Sequence, residues 1–381
     1  MAGPIDLDLT IGVDLDVVDE PEPNLPPTDT STGFLVMSLT NVANPTEVRL
    51  IRSPADARST YATEPALWAA VDAWFGTVGN AGGRLYLSPL DTDAAAAVAA
   101  IPDAYGPGQI IAPEVVASVD QTAVRDAAWE SNRFYVAQAP DGASDAALIT
   151  LKDALVSSEG RFAMLEADTI IIPGEAGGAT REVPASVIAA ALMARSDLRT
   201  GNPNLAAAGN HTPGASGQVD YALGIKADRT LEQIRTLARE QINTFRVVNQ
   251  RVRKYGYWTL ADLATLPQWW DVGGSRTIMA LRAREQAVAE EMMFGQIAAD
   301  GAFLDKYKGA LSGELAAFQR LGAIYGTETD PGYNVDVSVV QNPVSQLAQG
   351  LVKAVVTVRT SPFAAALSIT LTRRAITSAV A

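Results

Sequence analysis

Residues 5–17 alternate between apolar and polar side chains, a period-two pattern that is typical of a β-strand with one buried face. An acidic, proline-rich segment, 19–27 (DEPEPNLPP), separates this strand from the rest of the chain. The strand therefore has no sheet beside it in sequence, and we expect it to pair with a neighbouring subunit. The residues expected to make this pairing are apolar Ile5, Leu7, Leu9, Ile11, Val13, Leu15 and Val17, with acidic Asp6, Asp8, Asp14 and Asp16.

The composition is that of a globular protein with a substantial core. The chain has 381 residues, 48% of them hydrophobic, which is enough for two or three domains. It contains no cysteine, which excludes disulfides, thiolate zinc sites and cysteine nucleophiles and is typical of cytoplasmic production. The apolar runs are shorter than the roughly 18–20 residues of a membrane helix, and the acidic N-terminus lacks the basic start of a secretory signal. We expect no membrane insertion.

Charge is distributed unevenly between the two ends of the chain. The net charge is −14, which argues against direct nucleic-acid binding. Residues 1–30 contain eight acidic side chains and no lysine or arginine, whereas residues 332–381 contain four basic side chains and one acidic side chain. Opposite charges at the two ends favour head-to-tail assembly, because they steer docking and set the register. The alternative, that terminal charges only improve solubility, stays open at this point.

Between residues 30 and 225, short apolar strands alternate with helical segments. This order is typical of a layered α/β domain with a mostly parallel sheet. The segment 199–216 is a loop by composition. We predict strands at 32–39, 48–51, 84–87, 109–111, 134–136, 162–165 and 169–172, and helices from Ser53 and at 65–74, 91–100, 122–130, 145–156 and 184–196.

The rest of the chain mixes helices and strands, so the fold class is α/β with an α+β C-terminal part and extended strands at both ends. The last two strands alternate as the N-terminal one does. We predict helices at 231–240, 275–299, 313–325 and 343–353, and strands at 333–340, 355–359 and 367–372.

We find no pattern that is typical of catalysis or metal binding. His211 is the single histidine, and without a second histidine or a cysteine we interpret it as a turn residue. The glycine clusters 79–83 and 174–178 match neither the dinucleotide nor the phosphate-loop pattern, and we interpret them as turns. We predict no cofactor and no enzymatic activity. Four carboxylates are interpreted as a solvated face, namely Glu290, Glu291, Asp300 and Asp305.

The densest aromatic group lies between residues 255 and 270. Basic residues precede it, and basic residues interleaved with aromatic ones would suit the stacking of nucleic-acid bases. Because the chain is acidic, we favour the other interpretation, an anchor in the core or at an interface. The aromatic residues are Tyr255, Tyr257, Trp258, Trp269 and Trp270, and the basic ones are Arg251, Arg253 and Lys254.

The order and spacing of several segments resemble the contractile-tail sheath proteins of myophages and contractile injection systems. The resemblance extends over residues 30–372, whereas the acidic start differs from the Pro-Gly-Val-Tyr start common in that family. The segments that carry it are 32–87 with its Gly-Gly-Arg-Leu-Tyr strand (82–86), 184–210 with Val-Pro-Ala-Ser (183–186), Trp-Thr-Leu (258–260), the aromatic strand and long helix of 269–294, Gly-Tyr-Asn-Val-Asp (332–336), Asn-Pro (342–343) and 358–363.

The resemblance implies a structural subunit. In such a sheath, hexameric rings stack helically around an inner tail tube, and contraction drives the tube through the target cell envelope. The implied partners are further copies of the chain, the inner tube protein, and baseplate and tail terminator proteins. The implied location is the virion tail, assembled in the bacterial host cytoplasm. A tailocin or another contractile injection system is the alternative setting.

The resemblance also implies four parts. They are an N-terminal strand arm with its linker (1–27), an α/β sheath domain (28–225), a C-terminal core domain (226–342), and a tube-facing helix with a C-terminal strand arm (343–381). Lys353, Gln346 and Gln349 are expected to face the tube. The C-terminal arm residues expected to contact other subunits are Val356, Val358, Arg359, Leu367, Ile369, Leu371 and Arg373.

Two other classes of protein stay open. An α/β hydrolase or dehydrogenase with an exchanged arm would need a convergent polar cluster, which the sequence does not offer. A tube-forming protein would be much shorter and dominated by β-structure.

Overall fold

The computed structural model describes residues 29–40, 47–91, 93–210, 215–227 and 229–365, and within these ranges the strands form three sheets. The strands are β1 (Gly33–Ser38), β2 (Arg49–Ile51), β3 (Leu85–Leu90), β4 (Gln109–Ile111), β5 (Phe134–Gln138), β6 (Ala163–Glu166), β7 (Thr169–Ile172), β8 (Arg181–Pro184), β9 (Gln218–Val219), β10 (Gly224–Ile225), β11 (Ile242–Val248), β12 (Arg251–Tyr255), β13 (Tyr333–Asp336) and β14 (Val355–Val358).

The helices lie mostly between these strands. Ser144 accepts a hydrogen bond from Ala147 N at the start of the fifth helix, as expected of an N-cap. The helices are α1 (Pro54–Thr60), α2 (Pro65–Val78), α3 (Ala94–Ala99), α4 (Ser118–Glu130), α5 (Asp145–Leu155), α6 (Ala185–Thr200), α7 (Leu231–Arg239), α8 (Val272–Met292), α9 (Ala302–Arg320) and α10 (Val344–Leu347).

The largest sheet has the strand order β2-β3-β1-β4-β5-β6-β11-β12-β9. Its centre, from β3 to β11, is parallel throughout, and antiparallel strands flank it on both sides. The predicted mostly parallel sheet and the layered α/β class are therefore confirmed. The sheet continues past residue 225, because β11 pairs with β6.

Strand β1 shows why this sheet has helices on both faces. Phe34 and Val36 belong to the apolar cluster that includes residues of α3, α4 and α5, whereas Leu35 and Met37 belong to the cluster that includes residues of α2 and α6. All four side chains are at most 3% exposed. A strand that is buried on both faces is apolar at consecutive positions, which explains the unbroken run Phe-Leu-Val-Met.

The second sheet has the order β10-β7-β8 and is antiparallel. The predicted strand 169–172 exists as β7, but it lies outside the large sheet. The chain turns away after β6 because Asp168 is held on both sides. Its carboxylate accepts a hydrogen bond from Phe245 N at 2.5 Å, and its carbonyl accepts one from Ala185 N at 3.1 Å.

The C-terminal part packs α8, α9, β13 and β14 around a separate apolar cluster. Several predicted bounds here are wrong. The helix predicted at 313–325 is α9, which begins at Ala302 and ends at Arg320. It continues through Gly309 and Gly313, around which there is open space. The helix predicted at 275–299 is α8, and it ends at Met292. The strand predicted at 333–340 ends at Asp336, whose carboxylate accepts a hydrogen bond from Ser338 N and starts a turn.

Candidate assembly surfaces

The third sheet is the simplest candidate for contact with another subunit. It contains β13 and β14 paired antiparallel from Tyr333 opposite Val358 to Asp336 opposite Val355. Among the described residues neither strand has a second neighbour, so the outer edge of each is unpaired. The sheet packs on α8 and α9 through the C-terminal apolar cluster, and its two free edges are templates for strand addition.

The predicted C-terminal arm residues fall partly on this sheet. Val356 and Val358 are half-buried on β14 against the C-terminal cluster, and Arg359 pairs with the carboxylate of Asp330. The hydrogen bond from Arg359 lowers the pKa of Asp330. Outside the described residues lie His211, the whole N-terminal arm (Ile5, Asp6, Leu7, Asp8, Leu9, Ile11, Val13, Asp14, Leu15, Asp16 and Val17) and Leu367, Ile369, Leu371 and Arg373 of the C-terminal arm.

The segment Thr30–Thr32, directly before β1, is buried, and we call it the N-terminal root because the predicted N-terminal arm precedes it in sequence. Its residues are at most 5% exposed. Gln109 Nε2 donates a 2.7 Å hydrogen bond to the carbonyl of Thr30, and the Thr30 hydroxyl donates one of 2.6 Å to Asp197 Oδ2. The N-terminal root is therefore fixed to β4 and to α6 directly before β1 begins.

Phe363 lies shortly before the segment predicted to form the outer part of the C-terminal arm, and we call it the C-terminal root. Its ring packs on Trp270 at a centroid distance of 4.8 Å, on Tyr257 at 6.0 Å and on Trp258 at 6.1 Å. The aromatic group predicted to be an anchor thus packs within the subunit. Of its two remaining members, Trp269 stacks with Arg161, and Tyr255, which is 37% exposed, stacks with Arg246.

A cavity of about 570 Å³ lies beside the C-terminal root. Its walls are mostly apolar and aromatic, and two of its polar residues are engaged elsewhere. Asn210 accepts a hydrogen bond from Ser216, and the buried ammonium of Lys254 pairs with Glu166. Burial lowers the pKa of Lys254 and raises that of Glu166 to about 7. No nucleophile with an adjacent base is found among the described residues that line this cavity.

One buried ion pair connects the two roots. Arg276 of α8 donates to Asp197 Oδ2, the same oxygen that accepts from Thr30. Arg276 also donates from Nη1 to the Tyr257 hydroxyl at 3.4 Å, and Tyr257 contacts Phe363. Burial alone would lower the pKa of Arg276, but the Asp197 carboxylate outweighs it and raises that pKa. The sequence reasoning missed this pair, although an arginine among the apolar residues of α8 was a signal for a buried partner.

Residues 338–353 form a loop that connects β13 to β14. The helix predicted at Pro343–Lys353 is wrong in extent, since α10 covers Val344–Leu347 only. The chain turns back after α10 because Leu351 N bonds to Gln346 O and Gly350 adopts φ of 74°. The predicted tube-facing residues Gln346, Gln349 and Lys353 are all exposed on this loop.

The same loop exposes several large apolar side chains. Val339, Val340 and Val344 are each at least 80% exposed. A groove of about 510 Å³ lies between the loop and the junction of α8 and α9, and it includes Phe294, whose side chain is fully exposed. Exposed apolar surface of this kind marks an interaction site more often than a free surface.

The described residues also bear on the predictions about surface carboxylates, metal binding and membrane insertion. Glu291, Asp300 and Asp305 are exposed and Glu290 is partly exposed, as predicted for a solvated face. In the described ranges no group of three or more histidine, cysteine or acidic residues could hold a metal ion. Nor does any helix there have the length and apolar character needed to cross a bilayer.

The overall fold is that of the sheath proteins of contractile tails and contractile injection systems. A chain in the cryo-EM structure of the anti-feeding prophage baseplate is 18% identical with a TM-score of 0.71, covering 96% of this chain and 99% of that chain. The contracted sheath complex of PVC, an extracellular contractile injection system, is 18% identical with a TM-score of 0.70, covering 95% and 97%.

A crystal structure of a sheath tail protein from Desulfitobacterium hafniense is more distant. It is 10% identical with a TM-score of 0.56, and the match covers 86% of this chain and 93% of that chain. No protein-family model and no curated protein matches the sequence. The likeness to these solved structures therefore establishes the fold.

Proposed function

We propose that this chain is the subunit of a contractile sheath, in which hexameric rings stack helically around an inner tube and contract to drive the tube through a target cell envelope. The observation that carries the proposal is the two-stranded sheet of β13 and β14, whose outer edges are unpaired in the described part of the chain. Support comes from a sheath fold that covers nearly the whole chain.

The subunits would be joined by strand addition. The alternating segment 5–17 of one copy and the strand 367–372 of another would extend the β13–β14 sheet of a third. Strand addition supplies main-chain hydrogen bonds for affinity, and alternating side chains set the register. The aspartates of the N-terminal arm would oppose pairing between two such arms and favour a partner near Arg359 or Arg373.

The body of the subunit, residues 28–342, would move as a unit between the extended and contracted states. The joints would be the arms and their linkers, within 1–27 and 343–381. Contraction would keep the strand pairing while the linker 19–27 acts as a hinge. We infer that the energy for contraction is stored in the conformation of the extended assembly, without nucleotide hydrolysis.

The loop 338–353 would face the inner tube. Gln346, Gln349 and Lys353 are exposed there beside Val344. A positive Lys353 near an acidic tube surface would orient the contact, while the valine side chains would supply buried area. Baseplate and tail terminator proteins would bind the two ends of the sheath.

The setting that we propose is the tail of a phage, assembled in the bacterial host cytoplasm, with a tailocin or another injection system as the alternative. An enzymatic role is not supported by a convergent polar cluster in the described cavities. A non-catalytic structural role therefore fits the chain better.

Negative-stain microscopy of the purified full-length protein tests this function. We expect hollow cylinders of stacked rings with a six-fold end view. Discrete small oligomers without a helical lattice at high protein concentration would overturn the proposal.

Deletion of residues 1–20 tests the joint itself. We expect a folded, soluble monomer that forms no cylinders, because the deletion removes the donor strand and leaves the N-terminal root in place. As a matched control, Glu20→Gln with Glu22→Gln changes the linker charge and keeps the strand, and this variant should still assemble. Normal cylinders from the deleted chain would contradict strand exchange.

A further inference from the structure

We propose that the Asp197–Arg276 ion pair is a positioning device that couples the two arm roots, so that a disturbance of one root reaches the other. The inference rests on the proposed role of the arms as joints between subunits. It concerns how one subunit keeps the N-terminal root and the C-terminal root in a fixed position relative to each other.

The connection on the N-terminal side is direct. Asp197 Oδ2 accepts the hydroxyl hydrogen of Thr30 at 2.6 Å and also accepts from Arg276. Thr30, Asp197 and Arg276 are at most 7% exposed. One carboxylate oxygen therefore holds both the segment that leads to the N-terminal arm and the first turns of α8.

The connection on the C-terminal side runs through an aromatic ring. Arg276 reaches the Tyr257 hydroxyl at 3.4 Å, and the Tyr257 ring meets Phe363 edge-on at a centroid distance of 6.0 Å. A second contact lies three residues before Phe363. A Cβ on Gly274 would come within 2.8 Å of Thr360 Oγ1, so the first turn of α8 and the C-terminal chain are in close approach.

The ion pair is poorly built for stability alone. Asp197 Oδ1 and Arg276 Nε are buried and have no hydrogen-bond partner among the described residues. A buried pair that is incompletely satisfied recovers little of its desolvation cost, and apolar residues often stabilise a core as well or better. The pair instead fixes the relative orientation of its neighbours, because a bridging carboxylate and a planar guanidinium hold their hydrogen-bond partners in a defined geometry.

Hydrogen–deuterium exchange on the full-length protein tests the coupling with two variants at the roots. Thr30→Val removes the hydroxyl that bonds to Asp197, and Phe363→Leu removes the ring that contacts Tyr257. We expect Phe363→Leu to speed exchange in residues 29–40 by about threefold, and Thr30→Val to do the same in residues 256–262, because each root is held through the other. In the double variant, exchange in both segments should be little faster than in either single variant.

Trp269→Leu is the matched control, since this aromatic residue lies in the neighbouring cluster with Phe162 and Arg161. It should alter exchange near itself and leave exchange in residues 29–40 unchanged.

The coupling would be overturned by exchange changes that stay confined to the mutated root, or by equal effects from Trp269→Leu. In an Arg276→Met background, Phe363→Leu should no longer reach the N-terminal root. Should Arg276→Met fail to fold, the root variants decide the question by themselves.

Hydrogen–deuterium exchange in the variants tests the coupling within one subunit, whereas the formation of cylinders by the unmodified protein tests the proposed function. If exchange is coupled but the unmodified protein never polymerises, the proposed sheath function is wrong and the coupling through the ion pair stands. Uncoupled exchange in a protein that forms normal cylinders would do the reverse.

Discussion

Asn342 and Lys353 exchange two hydrogen bonds across the loop that joins β13 to β14. Lys353 N donates to Asn342 Oδ1 at 2.7 Å, and Asn342 Nδ2 donates to Lys353 O at 2.7 Å. The same amide also donates to Val337 O at 3.0 Å. One residue, 1% exposed, therefore holds the two ends of the loop together between the end of β13 and the start of β14.

Replacing Asn342 by alanine removes these bonds and leaves buried backbone groups without partners. We expect a loss of about 2 kcal/mol in the free energy of unfolding, together with a lower yield of assembled protein. Urea denaturation measures the first and sedimentation the second. Asn334→Ala, at an exposed position on β13, is the control and should change stability by less than about 0.5 kcal/mol. Equal losses for both variants would contradict the role of Asn342.

Phe294 has a left-handed backbone, with φ of 63°, and a fully exposed side chain. Phenylalanine is disfavoured in this conformation, whereas asparagine tolerates it. Phe294→Asn should therefore stabilise the isolated subunit by about 1 kcal/mol, which thermal unfolding would detect as a higher Tm. If assembly falls while Tm rises, Phe294 contacts another molecule. A lower Tm would contradict the account of backbone strain.

The buried carboxyl group of Glu285 should make the stability of the protein depend on pH. Burial raises the pKa of Glu285 to about 7 in the folded protein. Because this is above the value in an unfolded chain, the protonated carboxyl favours folding at low pH, and that contribution is lost as pH rises through about 7. Glu285→Gln mimics the protonated form at every pH.

We therefore expect Glu285→Gln to stabilise the protein by roughly 1–2 kcal/mol at pH 8.5, after a reduction for partial solvent exposure, and by much less at pH 5.5. Urea denaturation at the two pH values measures both differences. Glu291→Gln, at an exposed position three residues before Phe294, is the control. A stabilisation by Glu285→Gln that does not depend on pH would sink this explanation.

Lys353 tests the proposed tube contact. Lys353→Glu should weaken co-sedimentation with the inner tube about fivefold, because the reversal converts an attraction to an acidic surface into a repulsion. The fold should not change, since the side chain is exposed. Lys306→Glu, at an exposed position of α9, is a control of equal charge change. Unchanged co-purification of sheath and tube would count against the proposed orientation of the loop.

Sequence reasoning succeeded where local patterns decide the structure. Short apolar runs and helix caps predicted the strands and helices of the α/β part, including the helix that Ser144 begins. It failed at the β11–β12 hairpin, which had no prediction. There, Asn249 and Gln250 both adopt left-handed backbones, with φ of 51° and 63°, and Asn-Gln is a weaker turn signal than Asn-Gly.

The candidate site was less predictable for a different reason. Asp197 and Arg276 are 79 residues apart in sequence, and nothing local links them. The partner of the N-terminal arm is expected in another copy of the chain, so its pairing cannot be read from one sequence. The alternation of residues 5–17 predicts that a partner exists and says nothing of which edge receives it.

The position of β1 has a mechanical consequence for an arm that transmits force. β1 begins directly after the N-terminal root and is hydrogen-bonded in parallel to β3 on one side and β4 on the other. A pull on the arm along the strand axis would load these hydrogen bonds together, in shear, and would not peel them apart one at a time. Tension between subunits would thus enter the body at the strand that resists extraction from both sides.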